Sequence, residues 1–535
     1  MIRTVPWWRS APRWLAALLL AAGTAGSGAF WWGLGHDQAV PGSLAAGERV
    51  QCASYTPFRG AETPLDFTID RGRLAADFAL LAPRVGCLRL YAVRGNEFVP
   101  ELARAHGLTV ILGAWIGRDP AENEREVAGL IALATQYPDV VQSVLVGNEV
   151  LLRREQSAAQ LGAYLRRVRA AVPQPVSYAD VWEFWLRNPA LAADVDFITI
   201  HLLPYWEDEP AGIDTAIAAV AAARAKVVAA FPGKDILVGE AGWPSAGRQR
   251  EAAVPSRVNQ ARFVRDFVGR ARREGWRYNL IEAFDQPWKR AQEGAVGGYW
   301  GLFDTDRRDK GVLAGPVSNV PAWRRLGGLA VLLAGLVLVP GGAWRSPAAV
   351  AIALAAGNGI ALHVHQWQLF SRSLAETGWF AAVAALAGAS AWIAGQRAAG
   401  RPGRPRDTVI IGVAAALAAI VMLGLVFDAR YRHFPAAAFL APALAALWPV
   451  RAAGLWHARY RVLAWLLLMG VPVVLWLETP WNAEAVGWCV VASLLALGLV
   501  RSRAQDGALP AGLSSPASAS ASSASTAAGA PKRTL

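Results

Sequence analysis

The sequence predicts an α/β protein, a (β/α)8 TIM barrel joined to an α-helical transmembrane domain of about seven spans, with one further span at the amino terminus. Three observations predict it. In the first half of the chain, β-branched runs alternate with longer amphipathic stretches at intervals of roughly 30 residues, the signature of βα units. The second half is a succession of apolar runs separated by short basic or acidic loops. The whole is 54% hydrophobic with only 17% charged residues, too apolar for a wholly soluble chain of 535 residues.

The amino terminus carries Arg3, Arg9 and Arg13, then an apolar run over 14–33 of the length that crosses a hydrocarbon core. With no small-residue cleavage site leading into a polar start, it reads as an uncleaved anchor rather than a signal peptide. Residues 1–34 are therefore expected to be a cytoplasmic terminus and anchor, and 35–320 the barrel. Residues 321–506 should be polytopic, and the Ala/Ser-rich stretch 507–535 a disordered cytoplasmic tail.

Eight strands are expected in the barrel, at 50–55, 87–91, 109–114, 141–147, 175–179, 197–201, 235–239 and 279–283. Stretches such as 121–137 and 157–172 supply outer helices, charged on one face and aliphatic on the other. An open doubly wound sheet is the alternative, but no GxGxxG turn follows the first strand. Cys52 and Cys87 open two neighbouring strands and are read as a disulfide or as two packed thiols. Cys489 is a small buried residue.

Beyond Val320, apolar runs at 326–339, 348–365, 379–394, 408–427, 435–450, 462–477 and 485–500 give seven candidate spans. With the amino terminus in the cytoplasm, Arg345, Arg397, Arg401, Arg404, Arg406, Arg451, Arg459, Arg461, Arg501 and Arg503 all fall inside. Outside lie Arg372, Arg430 and Arg432 with Glu478 and Glu484, the positive-inside pattern. Arg324 and Arg325 run against it. The barrel is then expected to face the periplasm from a multi-pass position in the cell inner membrane.

Charge distribution excludes a nucleic-acid role. The formal charge is +13, but residues 321–535 hold 17 basic and 6 acidic residues. Residues 35–320 are nearly balanced, with 33 basic and 34 acidic. A nucleic-acid groove needs a basic surface that this part does not have. The partner expected for the helices is the lipid bilayer.

Chemistry on such barrels gathers after the carboxyl ends of the strands. Glu149 follows VLVGN on strand four and Glu240 follows ILVG on strand seven. A carboxylate straight after a run of Val, Leu and Ile is costly unless it faces a polar cleft or a partner. Two of them suit cleavage of a glycosidic bond, one protonating the leaving oxygen and one meeting the anomeric carbon. The tripeptides Asp194-Val-Asp196 and Asp304-Thr-Asp306 read as turns rather than metal sites, and His363 with His365 as an interfacial polar pair. No metal or cofactor is expected.

The motifs CLRLYA, VLVGNEV, FITIHLLPYW, VGEAGWPS, EAFDQPWK and YWGLFD resemble the glycoside hydrolases of family 17, β-1,3-glucan enzymes on a (β/α)8 barrel, in a membrane-anchored bacterial form. The resemblance covers nearly all of the barrel and none of the helical region. It implies that Glu149 is the acid/base, Asn148 the neighbour that holds the sugar 2-hydroxyl, and Glu240 the nucleophile of a retaining mechanism. Tyr205 is expected to hydrogen-bond that nucleophile. Arg89 and Tyr91 should line the floor of the site, Arg89 having an alternative reading as a structural ion-pair partner. Glu282, Asp285, Lys289 and Glu293 should form a polar network, with Asp285 and Lys289 alternatively a rim ion pair. Gln286 departs from the glutamate common at that position. Trp243 and Trp288, with Trp206, Tyr299 and Trp300 behind them, are candidate sugar platforms.

The function expected is hydrolysis or transglycosylation of β-glucan in the cell envelope. The alternative is a non-catalytic glucan-binding protein working beside a separate glucan synthase. A transporter is disfavoured by the scarcity of charges within the spans.

Overall fold

The computed structural model describes residues 13–504 apart from 46, 429, 449–450, 453–454 and 502; the tail expected over 507–535 lies outside the described residues. Eight parallel strands close into a barrel in sequence order: β1 Val50–Ser54, β2 Val85–Arg89, β3 Thr109–Ala114, β4 Val141–Asn148, β5 Val176–Val181, β6 Ile198–Leu202, β7 Ile236–Ala241 and β8 Arg277–Leu280. Their inward and outward faces are both buried, which is why the strands read as continuous apolar runs.

Helices between the strands start where the sequence supplies caps. Asp70 accepts from the backbone of Gly72 and Arg73 to open Arg71–Leu81, and Asp119 with Pro120 opens Pro120–Gln136. Ser157 and Gln160 form a capping box at Ala158–Ala171. The helix Arg257–Glu274 ends on Gly275 at φ +66°. These helices, with Ala216–Ala230, press Leu74, Leu130, Leu165, Val220 and Phe267 onto the outside of the barrel.

Inside the barrel, a small apolar plug closes the floor. It comprises Cys52, Cys87, Ile111, Leu145, Ala179, Phe197 and Leu237. Cys52 and Cys87 are bonded to each other across the β1–β2 pair, which resolves the two readings left open by the sequence. Above the plug, the interior becomes polar.

After β8 the chain makes only short helical turns, Pro287–Lys289, Arg290–Glu293 and Ala295–Gly298. It then enters seven successive helices, Trp323–Leu338, Pro347–Phe370, Leu374–Ala398, Pro405–Phe427, Ala436–Ala445, Leu455–Glu478 and Ala483–Val500. Each of the seven runs expected from hydropathy holds one of these helices. Together with the amino-terminal helix, six among the described residues are long and apolar enough to cross a membrane, against the eight expected. Trp323–Leu338 is cut short by Pro340 and the left-handed pair Gly341 and Gly342. Ala436–Ala445 has 10 residues, about 15 Å of helix, half a hydrocarbon core.

The amino-terminal helix Arg13–Gly35 packs into this bundle. Ser27 Oγ and Trp31 Nε1 both donate to Asn358 Oδ1, each at 2.8 Å.

The barrel rests on one end of the bundle, with its β7 and β8 loops against it. Arg248 pairs with Glu478, and Gln249 receives Asn482 Nδ2 at its carbonyl (3.1 Å) while its own N–H donates to Glu484 (3.1 Å). Tyr299 donates its hydroxyl to the carbonyl of Leu369 at 2.9 Å. The other end is tied by Arg401 to the Gly341 carbonyl and by Arg397 to Asp407. The helix order therefore sets Arg372, Arg432, Glu478 and Glu484 at the barrel end, with Arg345, Arg397, Arg401 and Arg404 at the other.

Candidate active site

Strand register positions the chemistry. Irregularities in the ladders fall between Leu145 and Asn148, between Ile200 and His201, and between Val238 and Ala241. Such shifts turn side chains at the strand ends toward the barrel axis. At β4, Gly147 has φ +87° and Glu149 φ +54°. A Cβ on Gly147 would lie 2.7 Å from the Val150 side chain, so this turn admits only glycine.

The result brings Glu149 and Glu240 together. One carboxylate oxygen of each, with a ring nitrogen of His201, lie within 4.8 Å of one another. His201 stands between them, Nδ1 at 2.8 Å from Glu149 Oε1 and Nε2 at 3.6 Å from Glu240 Oε1. Arg89 approaches the same Nε2 at 3.4 Å. Guanidinium groups only donate, so Nε2 accepts and the His201 proton resides on Nδ1, pointing to Glu149. Glu149 is 24% exposed at its side chain and Glu240 is 6% exposed, so the pair sits at the base of an opening.

Arg89 organises the floor. From the end of β2 its Nη1 donates to the Gly239 carbonyl at 2.6 Å and to Glu240 at 3.3 Å, and its Nη2 donates to Asn148 Oδ1 at 2.6 Å. Its alternative reading as an ion-pair partner inside the barrel and its reading as floor of the site describe the same contacts. Tyr91 donates to Glu240 Oε1 at 2.8 Å and shares a 2.7 Å hydrogen bond with Ser54. Burial and the neighbouring Glu240 charge push the Tyr91 phenol well up, so it stays a donor. Glu149, His201 and Glu240 have the atom types of a metal site, but the Arg89 cation among them disfavours a divalent ion.

Glu149 itself is pulled in two directions. Burial raises its carboxyl, whereas the His201 hydrogen bond and the charges of His201, Arg153 and Arg89 lower it; the lowering prevails. Behind it, Asp180 at the end of β5 accepts from Tyr178 and the Val181 N–H. Burial raises Asp180 to about 6, with Glu149 pushing the same way.

The wall after β8 is a second polar group. Lys289 Nζ donates to Glu282 Oε2 at 2.8 Å, and Glu282 Oε1 is buried with no partner among the described residues. Asp285 pairs instead with Lys310 at 2.8 Å and takes the Gly301 N–H at 2.8 Å. The alternative reading of Asp285 and Lys289 as a rim ion pair is thus replaced by two separate pairs, because the chain returning through 301–310 delivers a second lysine. Gln286 accepts from Trp288 Nε1 at 3.0 Å.

Burial lifts Glu282 to about 7 even beside Lys289, and lifts Glu293 to about 7 with Glu282, Glu149 and Glu240 adding to it. Unfolded, such groups titrate near 4.5. A raised folded value means that this share of stability is complete below the unfolded value and is lost as pH rises through about 7. The urea midpoint of the full chain is accordingly expected to fall between pH 5 and pH 8. Glu282→Gln should flatten that decline; an unchanged slope would remove Glu282 from the account.

Two expected positions lie elsewhere. Tyr205 donates its hydroxyl to the Arg248 carbonyl at 2.7 Å and is 1% exposed, so it supports the β6–β7 loops and Tyr91 is the tyrosine at Glu240. Trp243 is fully buried, donating to the Val254 carbonyl and packing on Phe263, so it is core rather than platform. Trp300 is likewise buried. Half-exposed rings at this end of the barrel include Trp182, Trp206, Trp288 and Tyr299, with exposed Trp115 under Arg153. His201 and Asp180 escaped the sequence reading; both end apolar strands, the same signal that marked Glu149 and Glu240. Asp194 and Asp196 pair with Arg166 and Arg169 at a turn.

Comparison with known proteins bears on the same span. Residues 52–301 match the BtgE/BtgC glycoside hydrolase domain, a match that stops short of the helical region. The chain is 30% identical over 250 residues to a glucan 1,3-beta-glucosidase of Schizosaccharomyces pombe, covering 43% of this chain and 77% of that protein. It is 27% identical over 248 residues to a glucan 1,3-beta-glucosidase of Saccharomyces cerevisiae, covering 40% and 76%. A probable beta-glucosidase btgE of Aspergillus fumigatus is 26% identical over 265 residues, covering 47% of this chain and 45% of its own length. These relatives are fungal. A solved glycoside hydrolase family 17 beta-1,3-glucanosyltransferase from Rhizomucor miehei aligns at 25% identity and TM-score 0.45, covering 50% of this chain and 97% of that one. On the strength of the Schizosaccharomyces pombe relative and the domain match, the chain belongs to the BtgE/BtgC glycoside hydrolase family.

Proposed function

We propose that the barrel is a retaining β-1,3-glucan-active enzyme that remodels envelope glucan by passing a glycosyl unit to another glucan in preference to water. The observation that carries this reading is the approach of one Glu149 oxygen and one Glu240 oxygen to within 4.8 Å. Retaining enzymes hold their carboxyl groups about 5 to 5.5 Å apart, whereas inverting enzymes leave roughly 6.5 to 9.5 Å for a water. Glu240, buried and held by Arg89 and Tyr91, attacks the anomeric carbon as Glu149 protonates the departing oxygen. A glycosyl ester on Glu240 results. In the second half, Glu149 takes the proton of the incoming hydroxyl and the ester is released. The lowered Glu149 carboxyl suits that base role, and the His201 Nδ1–H, donating to Glu149 Oε1 at 2.8 Å, fixes the carboxyl in place while its other oxygen carries the proton taken from solvent for the first half. Asn148, beside Glu149, holds the sugar 2-hydroxyl, while Glu282, Lys289 and Glu293 meet other hydroxyls and Trp288 offers a ring face.

The proposed setting of this chemistry is a membrane. In our reading residues 1–34 are a retained anchor, 35–320 a periplasmic barrel, and 321–506 a polytopic region of the inner membrane of a bacterial cell. Six helices of sufficient length, the Asn358 contacts of the amino-terminal helix and a barrel disulfide favour this. So does the gathering of arginines at the end of the bundle away from the barrel.

The test is to incubate the detergent-purified full chain with β-1,3-gluco-oligosaccharides and size the products. Longer or branched products are expected; shorter ones alone would mean hydrolysis, and unaltered substrate would end the glucan reading.

A further inference from the structure

We infer, on the glucan reading just given, that the sugar cleft is composite: residues 430–435 of the helical region form its outer wall, with Tyr431 as a sugar platform. Three observations carry it. The first is a row of aromatic rings that runs out of the barrel and ends in the helical region. Buried Trp300 stacks on half-exposed Trp206, centroids 6.5 Å apart at 18°, and Trp206 meets Tyr431 edge-on at 6.4 Å and 79°. Tyr431 is 38% exposed and its hydroxyl has no hydrogen-bond partner among the described residues.

The second is proximity to the charged wall of the site. A Cβ built on Gly294 would lie 3.0 Å from Tyr431 Cβ. Gly294 directly follows Glu293, whose carboxyl responds to Glu149, Glu240 and Glu282. Tyr431 therefore stands one residue's reach beyond the acidic wall, where a chain longer than the sugars at the carboxylates would extend.

The third is that the placement is fixed. Arg248 with Glu478, Gln249 with Asn482 and Glu484, and Tyr299 with the Leu369 carbonyl tie the β7 and β8 loops to three separate bundle ends around residues 430–435. Arg248 also lies 5.1 Å over the Phe434 ring. A ring held this way, at 79° to Trp206, with the Arg430 guanidinium 5.5 Å from its centroid and 38% of the residue exposed, can cover the C–H face of a pyranose while its hydroxyl meets a sugar hydroxyl. The substrate it favours is a glucan chain long enough to lie between barrel and membrane surface.

The experiment compares the wild-type full chain in nanodiscs with Tyr431→Ala and Tyr431→Phe, measuring kcat/KM for β-1,3-linked gluco-oligosaccharides of increasing length. Loss of one aromatic contact is expected to lower the long-to-short ratio of kcat/KM by about three- to ten-fold in Tyr431→Ala. Tyr431→Phe, which keeps the ring, should hold most of the ratio. An unchanged ratio in Tyr431→Ala, or an equal loss at every length, would overturn the inference while leaving the glucan activity standing. A wild-type chain inactive on every length would instead sink the glucan reading beneath it.

Discussion

Glu240→Ala is expected to lower turnover of β-1,3-gluco-oligosaccharides by about 10⁴-fold or more, because the group that forms the covalent intermediate is gone. Binding should persist. The floor of the site, Arg89, Asn148 and Tyr91, is assembled from β2 and β4 and the hydrogen bond between Tyr91 and Ser54 survives the truncation. Rates of sugar release and calorimetric binding of the same oligosaccharide separate the two effects. A glucan-binding protein acting beside a synthase predicts the opposite pattern, with function intact in the variant. Residual turnover within ten-fold of wild type would remove Glu240 from the chemistry.

Arg89→Ala is expected to damage both folding and catalysis. Its guanidinium is 1% exposed and serves the Gly239 carbonyl, Glu240 and Asn148 at once. Removing one member of a buried pair leaves the other charge without compensation, which costs about 3–5 kcal/mol. Urea unfolding followed by tryptophan fluorescence would read that loss. Surviving protein should show a second effect. With the guanidinium gone, Glu240 and Asn148 lose the group that fixes them, so kcat/KM for β-1,3-gluco-oligosaccharides is expected to fall by about 10²-fold. Arg89→Lys cannot reach Gly239 and Asn148 simultaneously and should rescue little. Wild-type stability and an unchanged kcat/KM would mean that Arg89 is not the organiser of the floor.

The barrel was legible because buried parallel strands leave continuous Val, Leu and Ile runs, and their ends were read to within three residues. Glu149 and Glu240 stood out by interrupting those runs with charge. His201 did the same on β6, yet a histidine after ITI is less conspicuous than a carboxylate, and its place between the two acids depends on the ladder shift at Ile200. Tyr205 and Trp243 were misplaced for another reason. Both sit in loops, where no periodicity says which side chain faces the cleft, and both find backbone carbonyls to bond, at Arg248 and Val254.

Partners distant in sequence were equally hidden. Nothing local to EAFDQPWK announces that Lys310 comes back to Asp285 and frees Lys289 for Glu282. Hydropathy found every apolar helix of the second half, but not that Gly341 and Gly342 or a 10-residue limit would cut two of them below a full span. The contact between the β7 loop and Glu478, Asn482 and Glu484 joins segments more than 200 residues apart, beyond any reading of local pattern.

The central claim is that Glu240 becomes covalently attached to sugar while Glu149 handles the proton. It is tested most directly by treating the full chain with an activated β-glucoside whose 2-hydroxyl is replaced by fluorine, then mapping the labelled peptide by mass spectrometry. The account predicts one glycosyl adduct, on Glu240. An adduct on another residue, or turnover of natural substrate with inversion at the anomeric carbon, would contradict it.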